Sequence, residues 1–452
     1  MNSWIQQSVF YHIYPLGLCG APLENDLNAE PVPRLKKLEP WIEHLKSLGV
    51  NALYIGPLFE STSHGYDTID YCTVDRRLGT NDTFKELVEV LHENHIKVIV
   101  DGVFNHVGRD FPKFVDIKEK GQSSPYCSWF AGLNFNNRSP YNDNFSYDPW
   151  NGHYNLVKFN VHNPEVKNYI FDVIKFWKDE FKIDGIRLDA ADCIDLNFLK
   201  ELSQFCRGLD PDLFLLGEVI HGDYTRWANK ESLDAVTNYE CYKGLYSSHN
   251  DKNYFEIAYS LNRQFGDGGI YKDLPLYSFV DNHDVNRISS TLKNLKHLYP
   301  LHAILFTMPG VPSIYYGSEW AIEGMKTHNS DAPLRPELDL VQVLENSEHK
   351  DLAEFISELA EIRLNSKAIQ KGSYKQVLVA NQHYVFSRQY EDECIIVAVS
   401  VVESPISVDI NLPVDGEKLI NLLNKDESFD IKARKTKIEI PACGTLVMKV
   451  HK

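Results

Sequence analysis

Asn163-Pro164-Glu165-Val166 opens one stretch of this chain and Gly185-Ile186-Arg187-Leu188-Asp189 closes it. Proline at a first helical position has no amide to leave unpaired, so Asn163-Pro164 reads as a helix start. Val166, Ile170, Val173, Ile174 and Trp177 then fall on one face, the spacing of a helix buried along one stripe. Gly185–Leu188 follows as a short buried strand. A one-sided helix running into such a strand is the unit of a parallel sheet covered by helices.

The same unit recurs outward from there. Short apolar runs at Val9–Tyr14, Ala52–Ile55, Lys97–Val100, Leu213–Leu216, Leu276–Val280 and Pro312–Tyr316 read as further strands. Thr83–Asn94 reads as a helix with Phe84, Leu87, Val88 and Leu91 on one face, and Thr83 with Glu86 at capping-box spacing. Leu352, Phe355, Ile356, Leu359 and Ile362 make another buried stripe. Seven to eight such units over about 350 residues predict an α/β fold, a closed (β/α)8 TIM barrel. An open doubly wound sheet is the alternative, weakened because no GxGxxG follows a strand.

Two stretches break the rhythm. Phe104–Asn160 is rich in Asn, Tyr, Phe, Pro and Ser and shows no helical stripe; so long an interruption reads as an inserted unit or functional loop. Beyond about residue 370, Val377–Ala380, His383–Arg388, Cys394–Val399, Ser407–Ile410, Lys437–Ile440 and Thr445–Val450 are short strand-like runs, predicting an antiparallel β-sandwich. The division expected is a barrel over 1–103 and 161–368, an insertion over 104–160 and a C-terminal sandwich over 369–452.

The chain has 452 residues and a net charge of −17. That balance argues against nucleic acid and against anionic membranes. No apolar run approaches the roughly 18 residues of a membrane span. The opening Met1-Asn2-Ser3-Trp4-Ile5-Gln6-Gln7 has no basic or apolar leader pattern. Eight cysteines lie scattered, with no CxxC pair. These features together predict reduced thiols and a cytoplasmic location. The oligomeric state stays open.

In a barrel of this kind catalytic groups gather where the strands end. Lys97–Val100 ends in Asp101, with Asn105-His106 beyond; Gly185–Leu188 ends in Asp189; Leu213–Gly217 ends in Glu218; Leu276–Val280 ends in Asp281-Asn282-His283-Asp284. Strand side chains alternate, so Arg187 and Asp189 share a face. One acid at a strand end is commonly a helix cap, and one Arg–Asp pair commonly an internal ion pair. Four acids at one rim, beside Arg187 and His283, point instead to cleavage of a glycosidic bond, which needs one ionised and one protonated carboxyl. Arg187 should lower Asp189, neighbouring anions should raise Glu218, and Asp284 should steady the positively charged transition state. His106 and His283 can donate to sugar hydroxyls.

These residues resemble the α-amylase superfamily of glycoside hydrolases over nearly the whole chain. The resemblance lies in Asp101–His106, Gly185–Ala190, Gly217-Glu218-Val219 and Phe279–Asp284. It implies Asp189 as nucleophile, Glu218 as general acid/base, Asp284 as transition-state stabiliser, and Asp101 and Asn105 as structural neighbours. It implies Tyr66 stacking under the sugar, Asp331 and Arg335 on the next sugar, and domain B in the insertion. Read from spacing alone, Asp331 and Arg335 equally fit a surface i,i+4 ion pair.

Lys158-Phe159-Asn160, Leu233–Tyr239 and Glu218-Val219-Ile220-His221 are similar to the neopullulanase and cyclomaltodextrinase branch, which places His221 among substrate-binding candidates and maltodextrins as substrates. That branch usually carries an N-terminal β-domain for dimerisation, whereas here the first barrel strand starts almost at once. Many α-amylases also place a calcium-binding His four residues past the nucleophile, where this chain has Cys193. The expectation is therefore no cofactor and no obligatory calcium. The expected activity is retaining hydrolysis of α-1,4-glucosidic bonds. A 4-α-glucanotransferase with the same intermediate is the alternative, and an inactive carbohydrate-binding protein the reading from another class.

Overall fold

The computed structural model describes residues 4–328 and 330–451; Met1-Asn2-Ser3 of the leader reading lie outside them. Eight strands run parallel: β1 (Phe10–Ile13), β2 (Ala52–Ile55), β3 (Lys97–Gly102), β4 (Gly185–Leu188), β5 (Phe214–Gly217), β6 (Ala235–Val236), β7 (Tyr277–Ser278) and β8 (Val311–Tyr315). Their order is β6-β5-β4-β3-β2-β1-β8-β7. A parallel bridge from Thr237 to Tyr277 joins the two ends, so the sheet closes into a barrel.

Period-two alternation fills the interior. Phe10, Ala52, Tyr54, Ile99, Phe214, Leu216, Ala235, Tyr277 and Val311 form one buried cluster, the layered packing of a small barrel. The intervening strand positions pack outward against helices. Of these α1 (Trp41–Ser47), α2 (Asn81–Glu93), α3 (Pro164–Phe181) and α4 (Leu196–Leu209) serve the first half. The second half carries α5 (Tyr239–Asn250), α6 (Phe255–Phe265), α7 (Leu298–Thr307) and α8 (Lys350–Leu364). Asn163 caps α3 by accepting from the Glu165 amide. Trp177 of α3 stacks on Phe59 at 4.3 Å between ring centres and donates its indole N–H to the Tyr71 carbonyl at 2.6 Å.

Several elements differ from the sequence reading. β3 runs on through Gly102, so Asp101 lies in the strand, in register with Arg187. β6 escaped notice because two residues carry no periodicity. α2 starts earlier than expected: Thr80 is its cap and Thr83 its reciprocal partner, since either hydroxyl side chain fills the role assigned to Thr83 and Glu86.

The segment following β3 does hold a helix, Pro112–Lys120, burying Phe114 and Ile117. Nine residues are too few for a clear stripe. Beside it lies a three-stranded antiparallel sheet of His106–Gly108, Pro149–Trp150 and His153–Lys158. After α8 a six-stranded antiparallel sheet and a two-stranded one enclose a second core, with Ile396, Ile410, Leu419, Ile438 and Leu446 inside. Lys418–Asn421 and Ser428–Asp430 are strands there that the sequence reading missed. Arg388 ties this sandwich to the barrel, donating to the Thr307 carbonyl at the end of α7.

Candidate active site

The barrel places the acidic groups around one cation. Arg187 on β4 is 3% exposed. Its Nη1 donates to Asp101 Oδ1 at 2.8 Å and to Asp189 Oδ1 at 2.9 Å. Its Nη2 lies 2.9 Å from Glu218 Oε1. Asp101 and Arg187 meet because neighbouring strands put them in register facing inward. Gly56 makes room for that layer: a Cβ there would stand 2.7 Å from the Asp101 Cβ. The turn after Asp189 is also constrained. Ala190 sits in the left-handed region at φ 44°, and its amide donates to Glu218 Oε2 at 2.9 Å. Strain of this kind persists only where the surroundings impose it.

Asp284 anchors the opposite side. His283 Nε2 lies 2.9 Å from Asp284 Oδ2, and Arg335 Nη2 lies 3.0 Å from Oδ1. Tyr66 OH donates to Asp101 Oδ2 at 3.0 Å and lies 2.6 Å from His283 Nε2. With the tyrosine proton given to Asp101, its oxygen accepts, which places the His283 proton on Nε2. The Tyr66 and His283 rings also stack at 5.5 Å.

Burial dominates the electrostatics. It raises both Asp189 and Glu218; Arg187 opposes it in both, and nearby carboxylates reinforce it. Arg187 does pull Asp189 down, as expected, but desolvation outweighs one cation and leaves the group raised. The two carboxyls share Arg187 and titrate as a pair. Burial pushes Asp284 up too, but His283, Arg335 and Arg187 outweigh it and hold it well below the usual carboxylate range. Burial lowers His106 to about 3, so it is neutral, with Nε2 3.9 Å from Asp189 Oδ2.

Asp101, Asn105, His106, Arg187, Asp189, Glu218, His283, Asp284, Tyr66 and Arg335 thus come together. Asp331 joins through Arg335 at 3.4 Å, the i,i+4 pair that spacing suggested. Arg335 is more than that pair: it lies over the Tyr14 ring at 4.5 Å and donates to the His283 carbonyl. His221 is exposed and lines a groove beside the rim. Sequence reasoning missed Tyr54, which donates to Asp101 Oδ2 at 2.7 Å. It also missed His12 stacked on Tyr54 at 4.2 Å, Tyr14, and Asn282, whose Oδ1 accepts the Asp284 amide. His12 and Tyr54 are paired residues of β1 and β2; their inward strand positions were the available signal.

The residues do not suit a calcium ion at Cys193. Its thiol is pushed up to about 11 by burial and Asp192, so it stays protonated, and calcium takes oxygen ligands. The Asn105 amide is engaged with His106 Nδ1 at 3.1 Å. Among the described residues no group of three or more His, Cys, Asp or Glu is placed to hold a metal.

A closed parallel barrel with carboxyl groups clustered at its C-terminal rim is an architecture that glycoside hydrolases use. The chain belongs to the α-amylase family: residues 34–366 match that family's catalytic domain. It is 30% identical over 421 residues to a cyclomaltodextrinase from a Bacillus species, covering 88% of this chain and 73% of that one. It is 30% identical over 447 residues to neopullulanase 2 of Thermoactinomyces vulgaris, covering 92% and 73%. Among solved structures, the native debranching enzyme of Nostoc punctiforme superposes with a TM-score of 0.83 at 26% identity, over 99% of both chains. The protein is an α-amylase-family glycosidase.

Proposed function

We propose that the protein hydrolyses α-1,4-glucosidic bonds of maltodextrins with retention, through a glycosyl ester on Asp189. The observation that carries this reading is the shared guanidinium: Asp189 and Glu218 each lie 2.9 Å from Arg187. Two carboxyls on one fork favour the short spacing of retaining enzymes, about 5–5.5 Å, over the roughly 6.5–9.5 Å that admits a water between them.

The pair holds one proton between its two carboxyls. With that proton on Glu218, Asp189 is ionised, and its Oδ2, the oxygen not tied to Arg187, attacks the anomeric carbon. Glu218 gives its proton to the departing oxygen, then takes one from the water that cleaves the ester. Substrate filling the cleft removes remaining water and favours the protonated Glu218 further. Asp284 stays ionised under His283 and Arg335 and faces the developing positive charge. His106, His283, Tyr66, Arg335, Asp331 and His221 serve binding. The segment 104–160 forms one wall of the cleft, between the barrel parts 1–103 and 161–368, with 369–452 as a separate sandwich. Cytoplasmic residence is supported by eight cysteines that are all free.

Digestion of maltotriose tests the reaction: glucose and maltose should appear from the first time points. Early accumulation of longer oligosaccharides would instead assign a glucanotransferase, and no turnover on any α-glucan an inactive binder. Neither hydrolysis nor transfer requires calcium in this proposal. Exhaustive chelation with EDTA should leave kcat unchanged, and a loss reversed by added calcium would refute that part.

A further inference from the structure

We propose that a groove on the flank of the barrel, opening at the catalytic rim, seats the continuing chain of a long α-glucan. The inference rests on the α-glucan reading above. The groove encloses about 1020 Å³, enough for several sugar units by the usual scale of ligand sites. Ile220 and His221, just past Glu218 in the chain, line it and are both exposed.

Tyr239 joins the groove to the carboxylates. It lines the groove, and its hydroxyl accepts from Asn282 Nδ2 at 3.1 Å, while Asn282 Oδ1 holds the Asp284 amide at 2.8 Å. From there the lining passes along α5 and α6 through Tyr242, Phe255 and Tyr259. Phe255 is 48% exposed and Tyr259 69%. Two large rings standing in solvent along one groove call for an occupant.

The charges choose which occupant. Lys243 pairs with Glu256, and Arg263 with Glu240 at 2.5 Å. The groove's cations are thus met by its own anions, so little net charge faces a charged peptide or an anionic surface. What remains is aromatic faces among neutral polar edges. Sugar rings match that surface: their C–H faces lie on aromatic rings while their hydroxyls reach polar groups.

The variants Phe255→Ala and Tyr259→Ala test this, since neither residue touches the carboxylates. Steady-state kinetics on maltotriose and on a long linear maltodextrin read the groove separately from the chemistry. Each variant should raise KM for the long substrate roughly three- to tenfold and leave both constants for maltotriose unchanged. Unchanged KM on both substrates overturns the proposal, as does an equal loss on both, which marks a structural role.

Migration in native gels containing amylose gives a readout independent of turnover. Wild type should be retarded more than the double variant, which keeps only the catalytic cleft; equal migration overturns the proposal. Sedimentation of the same variants covers a second copy of the chain as occupant: loss of a dimer with long-chain KM intact overturns glucan binding. A wild type that is retarded by amylose but cleaves no α-glucan defeats the catalytic reading and leaves the groove standing.

Discussion

Asp189→Asn should lower kcat on maltotriose by about four orders of magnitude or more, the scale seen when a covalent nucleophile is removed. The fold should survive, and the stability change has a defined sign. Burial raises Asp189 above its unfolded value, so its contribution is favourable at low pH and is lost as pH rises through the folded pKa. A neutral amide escapes that loss. The variant should therefore match or exceed wild type in thermal midpoint, with the advantage larger at pH 7 than at pH 5. Near-wild-type turnover would remove Asp189 from the chemistry. The same raised pair shapes the pH–rate profile: the acid limb, where Asp189 ionises, should lie above the ordinary carboxylate range, and the alkaline limb, where Glu218 gives up its proton, should be raised as well.

Arg187→Met should have the largest effect on stability, together with loss of activity. Arg187 faces Asp101, Asp189 and Glu218 at once, and its removal leaves three carboxyls without their cation. Breaking a buried pair by deleting one partner costs about 3–5 kcal/mol. The deficit should shrink as pH falls, because Asp189 and Glu218, already raised, take up protons that relieve the repulsion. Adding Asp101→Asn to the variant should recover part of the loss. Chemical denaturation at two pH values checks both statements, and a change below about 1 kcal/mol would mean that the cluster is less tightly coupled than its geometry indicates.

Much of this site was legible because barrel strands speak in a simple period. Arg187 and Asp189 had to share a face, and acids at several strand ends had to share a rim. α3 was legible for the same reason: eighteen residues give a stripe time to repeat. The two-residue β6 and the nine-residue helix Pro112–Lys120 were not, because their pattern ends before it repeats. The roles of Tyr54 and His12 depend on which residues sit opposite each other across β1, β2 and β3, and register is a property of the closed sheet. Protonation was the least legible quantity. Sequence shows that Arg187 neighbours Asp189, but not that burial outweighs it.

The most direct test of the account uses Glu218→Gln with α-maltosyl fluoride. Fluoride leaves without help from an acid, so the first step proceeds, while the missing base stalls the second. Mass spectrometry of the quenched, digested protein should find a maltosyl group on the peptide carrying Asp189. An adduct on another carboxylate, or release of the β-anomer with no adduct at all, would contradict a covalent retaining mechanism at Asp189.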